Sequence, residues 1–207
     1  MNDKNIIKIL FTGGSGAGKT STIELVREYF ENEGYDVFIV NEIPTMLLNN
    51  GFNSKKCGGR MNFLELIAKI ELYLGNLLLE QAQNSNNEKK MILFDKCPID
   101  NIAFIEKEEL TDMLKKLNTS FDEIINSFDL IMHLETIAKS FPELYTNDNN
   151  KNRTLDKDVA ITRNNRLLEV YRQNPKCVVI EGCKDIKEKQ DKVIRTIENI
   201  LIWEKSG

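Results

Sequence analysis

The chain has 207 residues, 41% of them hydrophobic and 29% charged, with a net charge of −4 at neutral pH. That length suits one sizeable α/β domain with its own core, and the acidic balance gives no support for a nucleic-acid-binding surface. No apolar run approaches membrane-spanning length and no secretory leader is evident, so a cytoplasmic protein with no membrane partner is expected.

The first apolar run, Ile6 to Phe11, reads as a buried strand. Residues 13 to 20 follow as Gly13-Gly14-Ser15-Gly16-Ala17-Gly18-Lys19-Thr20, a complete G-x-x-x-x-G-K-[ST] phosphate loop. Thr20 to Glu33 then carries Ile23, Val26 and Phe30 at helical spacing. Strand, glycine loop and helix together aim backbone N–H groups at an anion on a helix N-terminus. Residues 13 to 20 with Ser21 are therefore expected to hold the phosphates of a nucleotide, Lys19 reaching the β- and γ-phosphates and the Thr20 hydroxyl sitting on Mg²⁺.

The second strand, Val37 to Val40, is followed by Glu42, a carboxylate placed to accept a proton from, or hydrogen-bond, an acceptor hydroxyl. A solvated loop glutamate is the plainer alternative. The longest helix spans about Asn62 to Gln83 with an apolar stripe of Leu66, Ile67, Ile70, Leu74, Leu77 and Leu78, facing the core or a second copy of the chain in a homodimer. Asn84 to Lys90 is a polar loop.

The third strand, Met91 to Phe94, runs into Asp95, the usual place for the second protein anchor of Mg²⁺, acting through water. Its alternative is a turn aspartate before Pro98; Asp100 reads as a helix cap. Cys97 reads as a small loop residue. Ser120 with Glu123 forms a capping-box pattern opening a helix over Phe121 to Ser127.

The fourth strand, Leu130 to Leu134, contains His133, the one histidine, read as a strand residue rather than a base. Beyond it, Tyr145 to Arg153 and then Arg163 and Arg166 supply positive charge in a polar stretch entering a helix. This suits a lid, near 140–166, that closes over nucleotide. Arg153 is the first choice for stabilising charge on a transferred group, and Arg166 the second, as a nucleotide contact; Arg60 and Lys96 are further phosphate or substrate contacts. Cys177 to Ile180 makes the fifth strand. Lys184 to Trp203 closes the chain as an amphipathic helix with Ile186, Val193, Ile194, Ile197, Ile200 and Leu201 on one side. The four cysteines are scattered, so a structural zinc is not expected.

Strands alternating with helices imply a three-layer α/β fold: a parallel sheet of about five strands, helices on both faces, one domain over residues 1–207. No N-K-x-D guanine-reading motif, D-x-x-G switch or protein-kinase H-R-D set is present.

The ordered motifs resemble a small P-loop ATP-binding family labelled AAA-type, related to the nicotinamide riboside kinase domain of bacterial NAD-metabolism regulators and more distantly to deoxynucleoside kinases. The likeness rests on Thr12-Gly13-Gly14 through Lys19-Thr20, Asn41-Glu42-Ile43-Pro44-Thr45, Asp95 through Asp100, Tyr145 with Asn150-Lys151-Asn152-Arg153, and Leu167 through Arg172. Three positions depart from it: Lys96-Cys97 replaces Arg-Gly, and Asn164 replaces a lid-helix aspartate. The resemblance implies a nucleotide-kinase-like P-loop fold using ATP and Mg²⁺ to phosphorylate a small hydroxyl-bearing metabolite, with Lys19, Glu42, Asp95 and Arg153 as catalytic residues. Preference for ATP over GTP stays open. The competing reading is a regulatory NTPase acting as a conformational switch.

Overall fold

The computed structural model describes residues 6–146 and 156–204, with side chains through residue 202. The strands are β1 (Ile6–Thr12), β2 (Asp36–Val40), β3 (Lys90–Asp95), β4 (Leu130–Leu134) and β5 (Cys177–Ile180). The helices are α1 (Lys19–Asn32), α2 (Ile43–Asn49), α3 (Arg60–Asn84), α4 (Lys107–Lys116), α5 (Phe121–Asn126), α6 (Ile137–Ser140), α7 (Lys157–Tyr171) and α8 (Ile186–Glu204). The strands form one parallel sheet in the order β2-β3-β1-β4-β5. Val40 pairs with Phe94 across β2 and β3, and Leu134 with Ile180 across β4 and β5. Parallel strands covered on both faces read as apolar runs rather than as alternation, which is why β4 (Leu-Ile-Met-His-Leu) is buried at every position.

Residues cluster into two compact units. The first takes β1 through Leu10 together with Glu33–Leu130. Ile6, Val40, Ala82 and Ile92 form a core cluster there, with Phe38, Leu74, Leu78, Leu79 and Phe94 packed on it. The stripe of α3 keeps Ile67, Leu74 and Leu78 of the expected set but not Leu77. Leu64, Ile67, Ala68 and Glu71 face inward, whereas Leu77 and Tyr73 are exposed. The inward set keeps the i, i+3, i+4, i+7 spacing, with a carboxyl in a place where periodicity expects a hydrocarbon.

The second unit takes Phe11–Asn32 and the chain from Ile131 on. Helices α1 and α8 pack together, and the Tyr29 hydroxyl donates to Glu198 Oε1 at 2.6 Å. Ala138, Tyr145 and Ala160 make a smaller cluster with Ile137 and Ile161. Each fully buried branched side chain, such as Ile9 or Ile23, contributes about 1.5–3 kcal/mol relative to exposure.

Candidate nucleotide site

In the second unit the phosphate loop is fixed largely through its own backbone. Gly13 has φ +133°, and a Cβ there would lie 2.0 Å from the Leu134 carbonyl oxygen, so the position admits no side chain. Asn164, buried on α7, accepts from Gly14 N at 3.3 Å and from Thr136 N at 3.1 Å through one oxygen, Oδ1. The Thr136 hydroxyl donates to Ser15 O at 2.6 Å. Lys19 Nζ donates to Gly13 O at 2.9 Å and Gly14 O at 3.2 Å, which holds the ammonium over the loop.

Helix α1 begins at Lys19 with no acidic residue in its first turn, so nothing there offsets the positive end of its dipole. The arrangement is a nest of amides, an ammonium and a helix N-terminus, which suits a phosphate chain. Thr20 and Ser21 lie exposed at the start of α1. His133 is buried in β4, and burial, with Lys19 nearby, lowers its pKa to about 4. It is a neutral core residue at physiological pH.

In the first unit a charged cluster forms around the end of β3. Glu42, at the N-cap position of α2, accepts from the Thr45 hydroxyl at 2.5 Å and pairs with Lys96. Lys96 has φ +78°, a left-handed conformation that costs a non-glycine residue about 1–2 kcal/mol. Burial acts to lower the Lys96 pKa, but Glu42 and Asp95 outweigh it and raise it, so the ammonium stays charged.

Asp95 is buried. Asp100 accepts from Cys97 N at 3.1 Å, the capping role expected of it, and Cys97 is a buried residue of the turn. Glu71 from α3 is also buried. Burial, then the charge of Asp100, pushes its carboxyl well above the usual range, with Lys96 acting in the opposite sense. Glu71, Lys96, Gly75 and Phe94 help line a half-open recess of about 100 Å³.

The loop residues Gly13 to Thr20 thus come together in one unit, and Glu42, Asp95 and Lys96 in the other. Arg163 and Arg166 lie partly buried on α7, Arg60 is exposed at the start of α3, and Arg153 lies outside the described residues. Glu71, Thr136 and Lys189 were not legible as site residues. The available signal was a polar residue standing at a core position of an amphipathic helix: Glu71 after Ile67 and Ala68, Lys189 after Ile186.

A hydroxyl (Thr20) and a carboxylate (Asp95) are hard oxygen donors of the kind Mg²⁺ takes. Among the described residues no group of three or more His, Cys, Asp or Glu could hold a metal. Among the described residues, no helix is long and apolar enough to cross a membrane.

Solved structures of similar fold include two nucleotide-metabolism kinases and NadR. Thymidylate kinase from Ehrlichia chaffeensis superposes with a TM-score of 0.59 at 15% identity, covering 94% of this chain and 99% of that one. Deoxyadenosine kinase from M. mycoides, with its products dCMP and a flexible dCDP bound, gives 0.61 at 17% identity, covering 93% and 100%. NadR protein in complex with NAD and AMP-PNP gives 0.63 at 12% identity; 96% of this chain is covered but half (50%) of that one. Among curated proteins none matches by sequence. The family model described as AAA domain, AAA_28, matches residues 8–189. The chain belongs to that AAA domain family, built on the P-loop fold these kinases share.

Proposed function

We propose that the protein is a Mg-ATP-dependent kinase of a small hydroxyl-bearing metabolite, with a nucleoside or nicotinamide riboside as the favoured acceptor. The observation that carries this reading is the charged cluster of the first unit. A phosphate loop alone suits any nucleotide-binding protein. A carboxylate braced by Thr45 and a strained, fully charged Lys96 is what an acceptor site needs and a simple switch does not.

In this reading the loop amides and Lys19 hold the triphosphate, with Ser21 and Arg166 as further contacts. Thr20 and Asp95 would hold Mg²⁺, which when bound neutralises charge on the phosphates. Glu42 orients the acceptor hydroxyl or takes its proton, and Arg153 stabilises charge on the transferred group. Most of the acceleration then comes from positioning and electrostatics.

One contact favours the alternative, a regulatory NTPase. Asn164 ties helix α7 to Gly14, so a nucleotide that moved the loop would be felt along that helix. Incubation of the protein with Mg-ATP and a panel of nucleosides and nicotinamide riboside, with product detected by mass, separates the two. A phosphorylated product from one acceptor is expected. ATP binding with no product from any acceptor supports the switch.

A further inference from the structure

Helix α8 presents Ile186, Lys189, Gln190 and Val193 on one face at the i, i+3, i+4, i+7 spacing; Ile186 at its start is exposed, and two of the other three are polar. Both are buried: Lys189 is 3% exposed and Gln190 8%. Lys189 Nζ donates to Ala17 O at 2.9 Å and to Glu135 O at 2.8 Å. Gln190 Nε2 donates to Ser21 O at 3.2 Å, and a Cβ on Gly18 would meet Ile186 Cδ1 at 2.9 Å. One face of α8 therefore grips the chain on both sides of Lys19 and Thr20.

The grip on Ala17 has a directional consequence. In a trans peptide the carbonyl and the following N–H point opposite ways. Holding the Ala17 carbonyl against Lys189 therefore turns the Gly18 N–H away from α8. A buried ammonium on two main-chain carbonyls is also an expensive way to fix a loop, since a neutral donor would avoid the desolvation cost. The charge makes sense if an anion arrives nearby to offset it.

We propose that Lys189 is a positioning residue of the nucleotide site: it sets the orientation of the Ala17–Gly18 peptide, and its buried positive charge strengthens the pull of the loop on the triphosphate. The proposal rests on the reading that this loop binds nucleotide. It predicts that binding and protonation are linked. Burial lowers the Lys189 pKa to about 8; Lys19 on α1 pushes the same way, while Cys183 after β5 and Glu135 after β4 oppose it. Glu135 is itself paired with Lys139 at 2.5 Å, and Cys183 receives Lys192 at 3.6 Å. A triphosphate would raise the pKa. Below pH 8 the amine is protonated with or without ligand and affinity is full. Above it the free protein must take up a proton to bind, and affinity falls as pH rises.

The test is Mg-ATP affinity by calorimetry between about pH 7 and 9.5, in buffers of different ionisation heat, for wild type, Lys189→Met, Lys189→Gln, the exposed control Lys192→Ala, and Lys19→Ala. Wild type is expected to lose about tenfold in affinity across the upper part of this range, with proton uptake. Lys189→Met and Lys189→Gln are expected to bind at least about tenfold more weakly at pH 7 and to lose the pH dependence. Lys192→Ala should follow wild type. Folded Lys189 variants that bind within about twofold of wild type would overturn the proposal, as would wild-type affinity that is flat with pH and takes up no proton. If the variants do not fold, the wild-type proton uptake decides it. Wild type that binds no Mg-ATP, or binds it as well after Lys19→Ala, overturns the nucleotide reading and this proposal with it.

Discussion

The phosphate loop and the acidic cluster are built by opposite means. The loop is held through main-chain groups: Gly13 fits only without a Cβ, Asn164 and Thr136 bond to backbone atoms, and Lys19 donates to carbonyls. The cluster is held through side-chain charge: Glu42 with Lys96, and Glu71 with its carboxyl pKa raised by burial and by Asp100, Asp95 and Glu42. A backbone-built site tolerates no change of shape. A charge-built site tolerates changes of shape but responds to pH and to single charges.

The sharpest break in that contrast is Gly13→Ala. With a Cβ driven 2.0 Å from Leu134 O, the substitution is expected to destabilise the fold by more than about 3 kcal/mol and to abolish nucleotide binding, measured by urea denaturation and ATP titration. Gly34→Ala is the matching control. Gly34 also has positive φ, +82°, but a Cβ there meets nothing within 4 Å, so the cost should be the conformational term alone, about 1 kcal/mol.

His133 gives the next effect. Its folded pKa, about 4, lies below the ordinary 6.5, so the unfolded chain takes up a proton that the folded one resists. The stability this residue contributes is complete above pH 6.5. It is lost as pH falls towards 4, by up to about 3 kcal/mol. Urea midpoints measured from pH 7 to 4 should show the fall in wild type and a shallower one in His133→Leu.

Asn164→Ala leaves two buried N–H groups, those of Gly14 and Thr136, without their acceptor, at an expected cost of about 2–3 kcal/mol in the same assay. A loss under about 0.5 kcal/mol would mean the loop holds itself without α7.

The smallest effect belongs to the cluster. The raised pKa of Glu71 means its contribution is complete below pH 4.5 and is lost as pH rises through the folded value. Glu71→Gln should match wild type at low pH and become progressively more stable than it as pH rises. Equal stability at every pH would show that the carboxyl ionises without cost.

The contrast also explains what could be read from the residues alone. The loop was legible because backbone geometry demands glycine at fixed places, and glycine is visible in a sequence. β4 takes the bounds its apolar run suggested, because parallel buried strands are uniform in hydropathy, and the edge strand β5 keeps the bounds of its run although only Ile180 in it is buried. Glu42 and Asp95 could be singled out because one lies two residues past the end of a strand and the other ends one. Glu71 and Lys189 could not, because a polar residue at a core position breaks the periodicity that reveals the face, and its partners lie far off in sequence. Helix α2 spans Ile43–Asn49 with Pro44 as its second residue, too short to carry a periodic signal. On α3 the expected stripe holds at Ile67, Leu74 and Leu78 and fails at Leu77, which is exposed because leucines outnumber the inward positions.

The central claim is that the loop holds the nucleotide while Glu42 serves the acceptor. One preparation of Glu42→Gln tests it most directly, with Mg-ATP affinity and phosphoryl transfer to the acceptor measured side by side against wild type. The account predicts affinity unchanged within about twofold and transfer reduced by about 10²-fold or more. Transfer at the wild-type rate, or transfer lost only in step with ATP affinity, would contradict it.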